Sequence, residues 1–210
     1  MPKFDETFDT KAIRRIEDAV REIERRSSAE VVVEIRARSG SYAHAGARFA
    51  ALFTLATLAI LVFMPWTVPA IMVVLDPIAA YAAGILLARR SSSLQRLFTT
   101  RRERLDAVGT HAAALFHRRG IANTTGETGV LVYVSLLERR MEVLADRGIL
   151  RSVNAIDWNA ALTALHIERR FDADAIIAAL RTLTPSLHRD LPAADENADE
   201  LTSAPEIELA

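Results

Sequence analysis

Carboxylates are the side chains of this sequence best placed to do chemistry. Asp146 lies in the turn sequence ADRG, with Glu127 and Glu138 before it and Asp157 after it. Calcium and magnesium are bound by converging oxygen atoms, so Asp146, Glu127 and Asp157 form the candidate ligand set for Ca2+ or Mg2+, with Glu138 as a further contributor. The spacing is not that of an EF-hand loop, and Arg147, next to Asp146, offers a salt bridge as the competing role. Ser135 ends an apolar run and is a candidate nucleophile, but no base adjoins it in the sequence. The histidines His44, His111, His117, His166 and His188 do not pair as ligands: His111 and His117 are six apart, about 240° around a helix. They read as surface or boundary residues. No P-loop, dinucleotide fingerprint, nucleophile elbow or zinc-protease motif is present. The absence of cysteine excludes disulfides and thiolate-held zinc or iron–sulfur clusters.

One further carboxylate, Asp76, is the only charged side chain between Phe49 and Ala88. Those forty residues would make a helix about 60 Å long at ~1.5 Å per residue, twice the ~30 Å of a bilayer's hydrocarbon core. Two passes fit where one does not. Pro65 and Pro69 mark the turn between FAALFTLATLAILVFM and AIMVVLDPIAAYAAGILLA, which predicts a transmembrane helical hairpin with spans at about 47–64 and 70–88. Small residues in AHAGA and a snorkelling Arg48 extend the first span, and Trp66 at the tip suits a headgroup boundary. Asp76 then has two readings: an intramembrane polar site, or an N-cap with Pro77 opening a helix.

Arginine sets the expected orientation. The tip has none, whereas Arg36, Arg38 and Arg48 precede the hairpin and Arg89, Arg90, Arg96, Arg101, Arg102 and Arg104 follow it. The positive-inside bias therefore places both termini and the folded domain in the cytoplasm, at the inner membrane of a bacterium. The apolar run begins too far into the chain for a signal peptide. The basic group from Arg89 to Arg104 starts at the lipid boundary and reads as a membrane-surface contact with anionic lipids, not as a nucleic-acid site. Residues 190–210 hold seven acids and no base, the composition of a disordered tail.

Around the hairpin the pattern is α/β. Ile13, Ile16, Val20 and Ile23 recur at helical spacing in TKAIRRIEDAVREIERR, and AEVVVEIRARS follows as a β-branched strand. Leu94 to Arg119 reads as one helix stopped by Gly120. Val130 to Val134 is apolar without alternation, as in a strand buried on both faces, and Met141 to Asp146 alternates like its partner across a short turn. NAIDWNAALTALHIERR and DADAIIAALRTL close the fold as helices with acids near their starts and arginines near their ends. The expected fold class is a small mixed-sheet α/β sandwich interrupted by a two-helix transmembrane hairpin. Residues 1–42 and 93–188 form the folded domain, 43–92 the hairpin and 189–210 the tail.

The string FHRRGIANTTGETGVLVYVSLLERRMEVLADRGI, followed by Trp158, resembles the TPM domain family in its bacterial membrane-anchored branch. In that branch a helix, a Gly-Val-Leu strand, a Glu-Arg-Arg turn and an Ala-Asp-Arg-Gly segment recur. The resemblance covers about 110 residues and implies a compact α/β domain with a mixed sheet. Relatives are linked to photosystem maintenance and receptor assembly, and acid phosphatase activity and calcium binding are proposed for some. What the resemblance implies is a non-enzymatic interaction, assembly or maintenance factor whose partners are the bilayer and another membrane protein. The alternative it implies is a metal-assisted, phosphatase-like hydrolase.

Overall fold

The computed structural model describes residues 8–65, 68–167, 171–193 and 201–208. Trp66, expected at the headgroup boundary, lies outside them. The chain divides into two compact units, one formed by residues up to Ser39 together with those from Leu105 onward, the other by Gly40–Arg104.

The first unit is a mixed α/β sandwich. Helix α1 (Thr10–Glu24) starts where Asp9 Oδ1 accepts the Ala12 N–H at 2.7 Å, and its stripe Ala12, Ile16, Val20 and Ile23 is buried. Strand β1 (Glu30–Arg36) pairs in parallel with β2 (Gly129–Ser135), in register from Glu30↔Gly129 to Arg36↔Ser135. Strand β3 (Arg140–Ala145) turns back antiparallel to β2. The α1 stripe, Val31, Val33 and Ile35 of β1, and Val130, Val132 and Val134 of β2 share one core with α7 (Ala155–Ile167) and α8 (Ala173–Asp190). On the other sheet face Val32, Leu131 and Tyr133 meet Val108, Ala112, Leu115 and Phe116 of α5 (Arg101–Arg118). Cover on both faces is why neither β1 nor β2 alternates apolar with polar. The short helix α6 (Arg147–Ser152) links β3 to α7.

The second unit holds helices α2 (Ala43–Phe63) and α3 (Ala70–Arg90), packed against one another, and the short α4 (Ser92–Leu97). Both long helices reach past the spans read from hydropathy, α2 by taking in AHAGA. Their contact is made of small residues: Ala45, Gly46 and Ala50 are the buried positions of α2, and Ala80, Gly84 and Ala88 those of α3. A Cβ on Gly84 would stand 2.7 Å from Ala50 Cα, so glycine is required for this approach.

Three expectations are corrected. Leu94 to Arg119 is not one helix, because Thr100 and Glu103 form a capping box that starts α5 afresh: Glu103 Oε2 accepts the Thr100 N–H at 2.7 Å and Thr100 Oγ1 accepts the Glu103 N–H at 3.1 Å. Asp76 is no N-cap, since α3 begins at Ala70 and carries Pro77 inside it. The acidic tail is not wholly unstructured: Leu191 ends α8, Pro192 bridges to Ser27, and Glu206–Glu208 forms β4, parallel to β1 at the sheet edge. The described sheet thus has the order β3-β2-β1-β4.

Candidate functional site

The carboxylates expected to converge are each engaged separately. Asp146 caps α6, its Oδ1 accepting the Arg147 main-chain N–H at 2.7 Å, so the anticipated partner is the backbone of Arg147 and not its guanidinium. Its Oδ2 is buried without a hydrogen-bond partner among the described residues. Gly148 packs so closely on the preceding loop that a Cβ there would lie 2.5 Å from the Gly126 carbonyl oxygen. Glu127, in the left-handed region at φ 54°, pairs with Arg151 at 3.2 Å. Asp157, at the start of α7, pairs with Arg189 of α8 at 2.8 Å. Arg189 also holds the half-buried Asp190 carboxyl down to about 2. Among the described residues no group of three or more histidine or acidic side chains could hold a metal ion. Calcium needs six to eight oxygens, and one free Asp146 oxygen does not supply that set.

A different polar group forms at the C-terminal ends of the two parallel strands. Ser39, three residues past β1, places its Oγ 2.8 Å from both Tyr133 Oη and Ser135 Oγ. Ser135 Oγ donates to Glu138 Oε2, and Glu138 Oε1 accepts the Ser39 N–H at 2.9 Å. One proton per hydroxyl allows a single order: Tyr133 donates to Ser39, Ser39 to Ser135, and Ser135 to the carboxylate. The His111 ring stacks on Tyr133 with centroids 5.7 Å apart, and its Nε2 is buried without a hydrogen-bond partner among the described residues. Burial, then the nearby Arg36 and Arg118 charges, lower its pKa, while burial raises that of Tyr133. Ser135 therefore has the carboxylate neighbour that the sequence concealed. Ser135 and Tyr133 are wholly buried, so the hydroxyl is closed to solvent. The group latches the segment leaving β1 to the β2–β3 turn.

Beside the latch lies a charged belt. Glu34, buried in β1, accepts from Arg36 Nε at 2.7 Å and stands 3.7 Å from Arg119 Nη2. The same two guanidiniums bind β4, Arg36 pairing with Glu208 and Arg119 with Glu206. Elsewhere, a groove between α1 and α8 is lined by Arg15, Asp18, Glu22, Arg181 and His188, a mixture of signs.

In the hairpin unit the outward faces of α2 and α3 are apolar and bare: Val62 is 73% and Phe63 86% exposed, and Leu55, Ile60, Ile71 and Ile78 are exposed as well. Asp76 sits half-buried in the first half of α3. Of the basic residues assigned to the membrane surface, Arg89, Arg90, Arg101 and Arg102 are exposed, and Arg96 is half-buried in α4. Arg104 has a different role: its Nη1 donates to the Arg96 and Thr99 carbonyls at 2.8 and 2.7 Å, closing the end of α4. Arg48 reaches the same segment through the Phe98 carbonyl at 3.2 Å.

Compared with solved structures, the chain is similar in fold to the BA42 protein of the psychrophilic bacterium Bizionia argentinensis, known from an NMR structure. The match has a TM-score of 0.59 at 16% identity and covers 99% of this chain and 100% of that one. No protein-family model and no curated protein matches the sequence.

Proposed function

We propose that this chain is a membrane-anchored, TPM-like domain that acts as a non-enzymatic interaction, assembly or maintenance factor for other membrane proteins. The observation that carries the reading is the bare apolar surface of α2 and α3. Each helix has 21 residues, about 31 Å at ~1.5 Å per residue, which matches the ~30 Å hydrocarbon core. An exposed apolar surface this continuous is unfavourable in water and is relieved by lipid. Small-residue packing between the helices suits a bilayer, where tails offer helices no hydrophobic drive to associate. The flanking arginines support a cytoplasmic location for both ends of the hairpin, and so for both termini and the folded unit. The strings shared with the TPM branch, together with the mixed-sheet fold they imply, support the family assignment. The dispersed carboxylates and the buried Ser135 favour a binding role over hydrolysis.

Reporter fusions at residue 67 and after residue 210, combined with carbonate washing of membranes, test the placement. The expected result is a wash-resistant chain with the tip reporter translocated and the C-terminal reporter retained. A chain released by carbonate, or a translocated C-terminus, would overturn it.

A further inference from the structure

The tail strand occupies a site that its own charges describe. β4 covers only Glu34, Ile35 and Arg36 of the β1 edge, and its last carbonyl, that of Glu208, accepts the Ala37 N–H at 2.9 Å. On one face of this short strand Glu206 and Glu208 meet Arg119 and Arg36, while on the other Ile207 packs against the main core. Glu24 closes the groove upstream, taking the Val31 N–H at 3.1 Å and the Ser203 hydroxyl at 2.8 Å.

Without β4, the buried Glu34 would hold two guanidiniums, leaving one positive charge in excess at the C-terminal end of an open strand edge, while Glu24 and Glu30 lie at its other end. Such an edge recruits an extended chain, main-chain bonds giving affinity and side chains at alternate positions giving selectivity. The resident strand is a weak occupant. It has three residues, and Glu206 and Glu208 are 46% and 60% exposed, so their ion pairs with Arg119 and Arg36 are screened by water. A short edge strand opens before the whole domain unfolds, although Leu201 upstream packs on the second core and Ser203 is buried.

We propose that the β1 edge, with Arg36 and Arg119, is a docking groove for an extended acidic segment of a partner protein. The segment carries carboxylates two residues apart around an apolar side chain, and Glu206–Glu208 is its resident competitor. The proposal builds on the interaction reading of the folded unit and is independent of the membrane placement. Failed peptide binding leaves the reporter topology intact, and a failed topology leaves peptide binding intact.

The test uses the full chain in detergent micelles and, as probe, a fluorescent peptide of residues 201–210, LTSAPEIELA. The E206Q/E208Q chain should bind this peptide at least ten-fold more tightly than the unaltered chain. Adding R119A to that variant, or replacing both peptide glutamates with glutamine, should each lower affinity at least ten-fold. Equal binding of acidic and glutamine peptides, or binding indifferent to R119A, would overturn the proposal. In the unaltered chain the Ala37 amide should exchange its hydrogen at least ten-fold faster than the β2 amides and slow when excess peptide is added. Exchange as slow as in β2 would mean that the tail does not yield, and would also overturn it. Dimers formed on mixing the unaltered and E206Q/E208Q chains would assign the groove to a second copy's tail, against a foreign partner.

Discussion

At the scale of single residues, His111 carries the clearest consequence. It lies against Tyr133, and burial, then Arg36 and Arg118, favour its neutral form over the imidazolium, Glu138 opposing them only in part. Its folded pKa is thus below the unfolded value of about 6.5, and in acid the unfolded chain binds the extra proton. The stability it confers is complete above pH 6.5 and is lost as pH falls from there through the folded pKa. Melting of the full chain in micelles should therefore fall more steeply as pH drops below about 6.5 in the unaltered protein than in His111→Phe, which keeps the ring stack. Parallel curves would show that His111 does not titrate on unfolding. The sequence marked His111 only as a surface or boundary residue, because Tyr133, Ser39 and Glu138 come to it from distant parts of the chain. Asp146 teaches the converse. Its turn was legible, but its role as the cap of α6 depends on where one carboxylate oxygen points.

At the scale of elements, the hairpin depends on close approach. A side chain on Gly84 would meet the Ala50 backbone at 2.7 Å and its Cβ at 3.0 Å, so neither helix can yield without separating. Gly84→Leu should lower the stability of the hairpin by about 1–3 kcal/mol, the usual effect of overpacking. The readout is earlier thermal unfolding and faster proteolysis at the hairpin in micelles. Gly109→Ala is the control. A Cβ there meets nothing within 4 Å, and alanine in a helix should be neutral or stabilising by up to about 1 kcal/mol. The two long helices were legible from apolar length alone. The break between α4 and α5 was also present in the sequence, as Thr100-Arg101-Arg102-Glu103, but a capping box inside a plausible helix is overridden or used according to the packing around it.

At the scale of the whole molecule, one domain is assembled from two separated stretches. β1 lies between β2 and β4, so the residues from Leu105 onward lack an inner strand of their own sheet. Replacing residues 41–99 with a Gly/Ser linker of about fifteen residues keeps Ser39 in its latch and Thr100 as the cap of α5. Loop entropy rises slowly with length, so the product should be a soluble monomer with one cooperative unfolding transition. Residues 94–183 alone should aggregate, because β2 would expose an unpaired edge. Cooperative folding of that fragment would show that the sandwich does not need β1, and aggregation of the linker form would show that the folded unit does not stand without the hairpin segment.

By itself the sequence determined the α/β class, the paired apolar helices and the two buried strands, since each follows from periodicity and apolar length, which are local properties. It determined the break between the two apolar helices for the same reason: Pro65 and Pro69, which flank it, restrict their own backbone wherever the chain goes. Tertiary structure alone decided what the polar residues do. Ser39 meets Ser135, and Arg36 and Arg119 meet the tail glutamates, only because β1, β2 and β4 run parallel and bring their C-terminal ends together. A charged tail of this composition reads as solvated until a complementary surface is known, and that surface is assembled from residues more than eighty positions away.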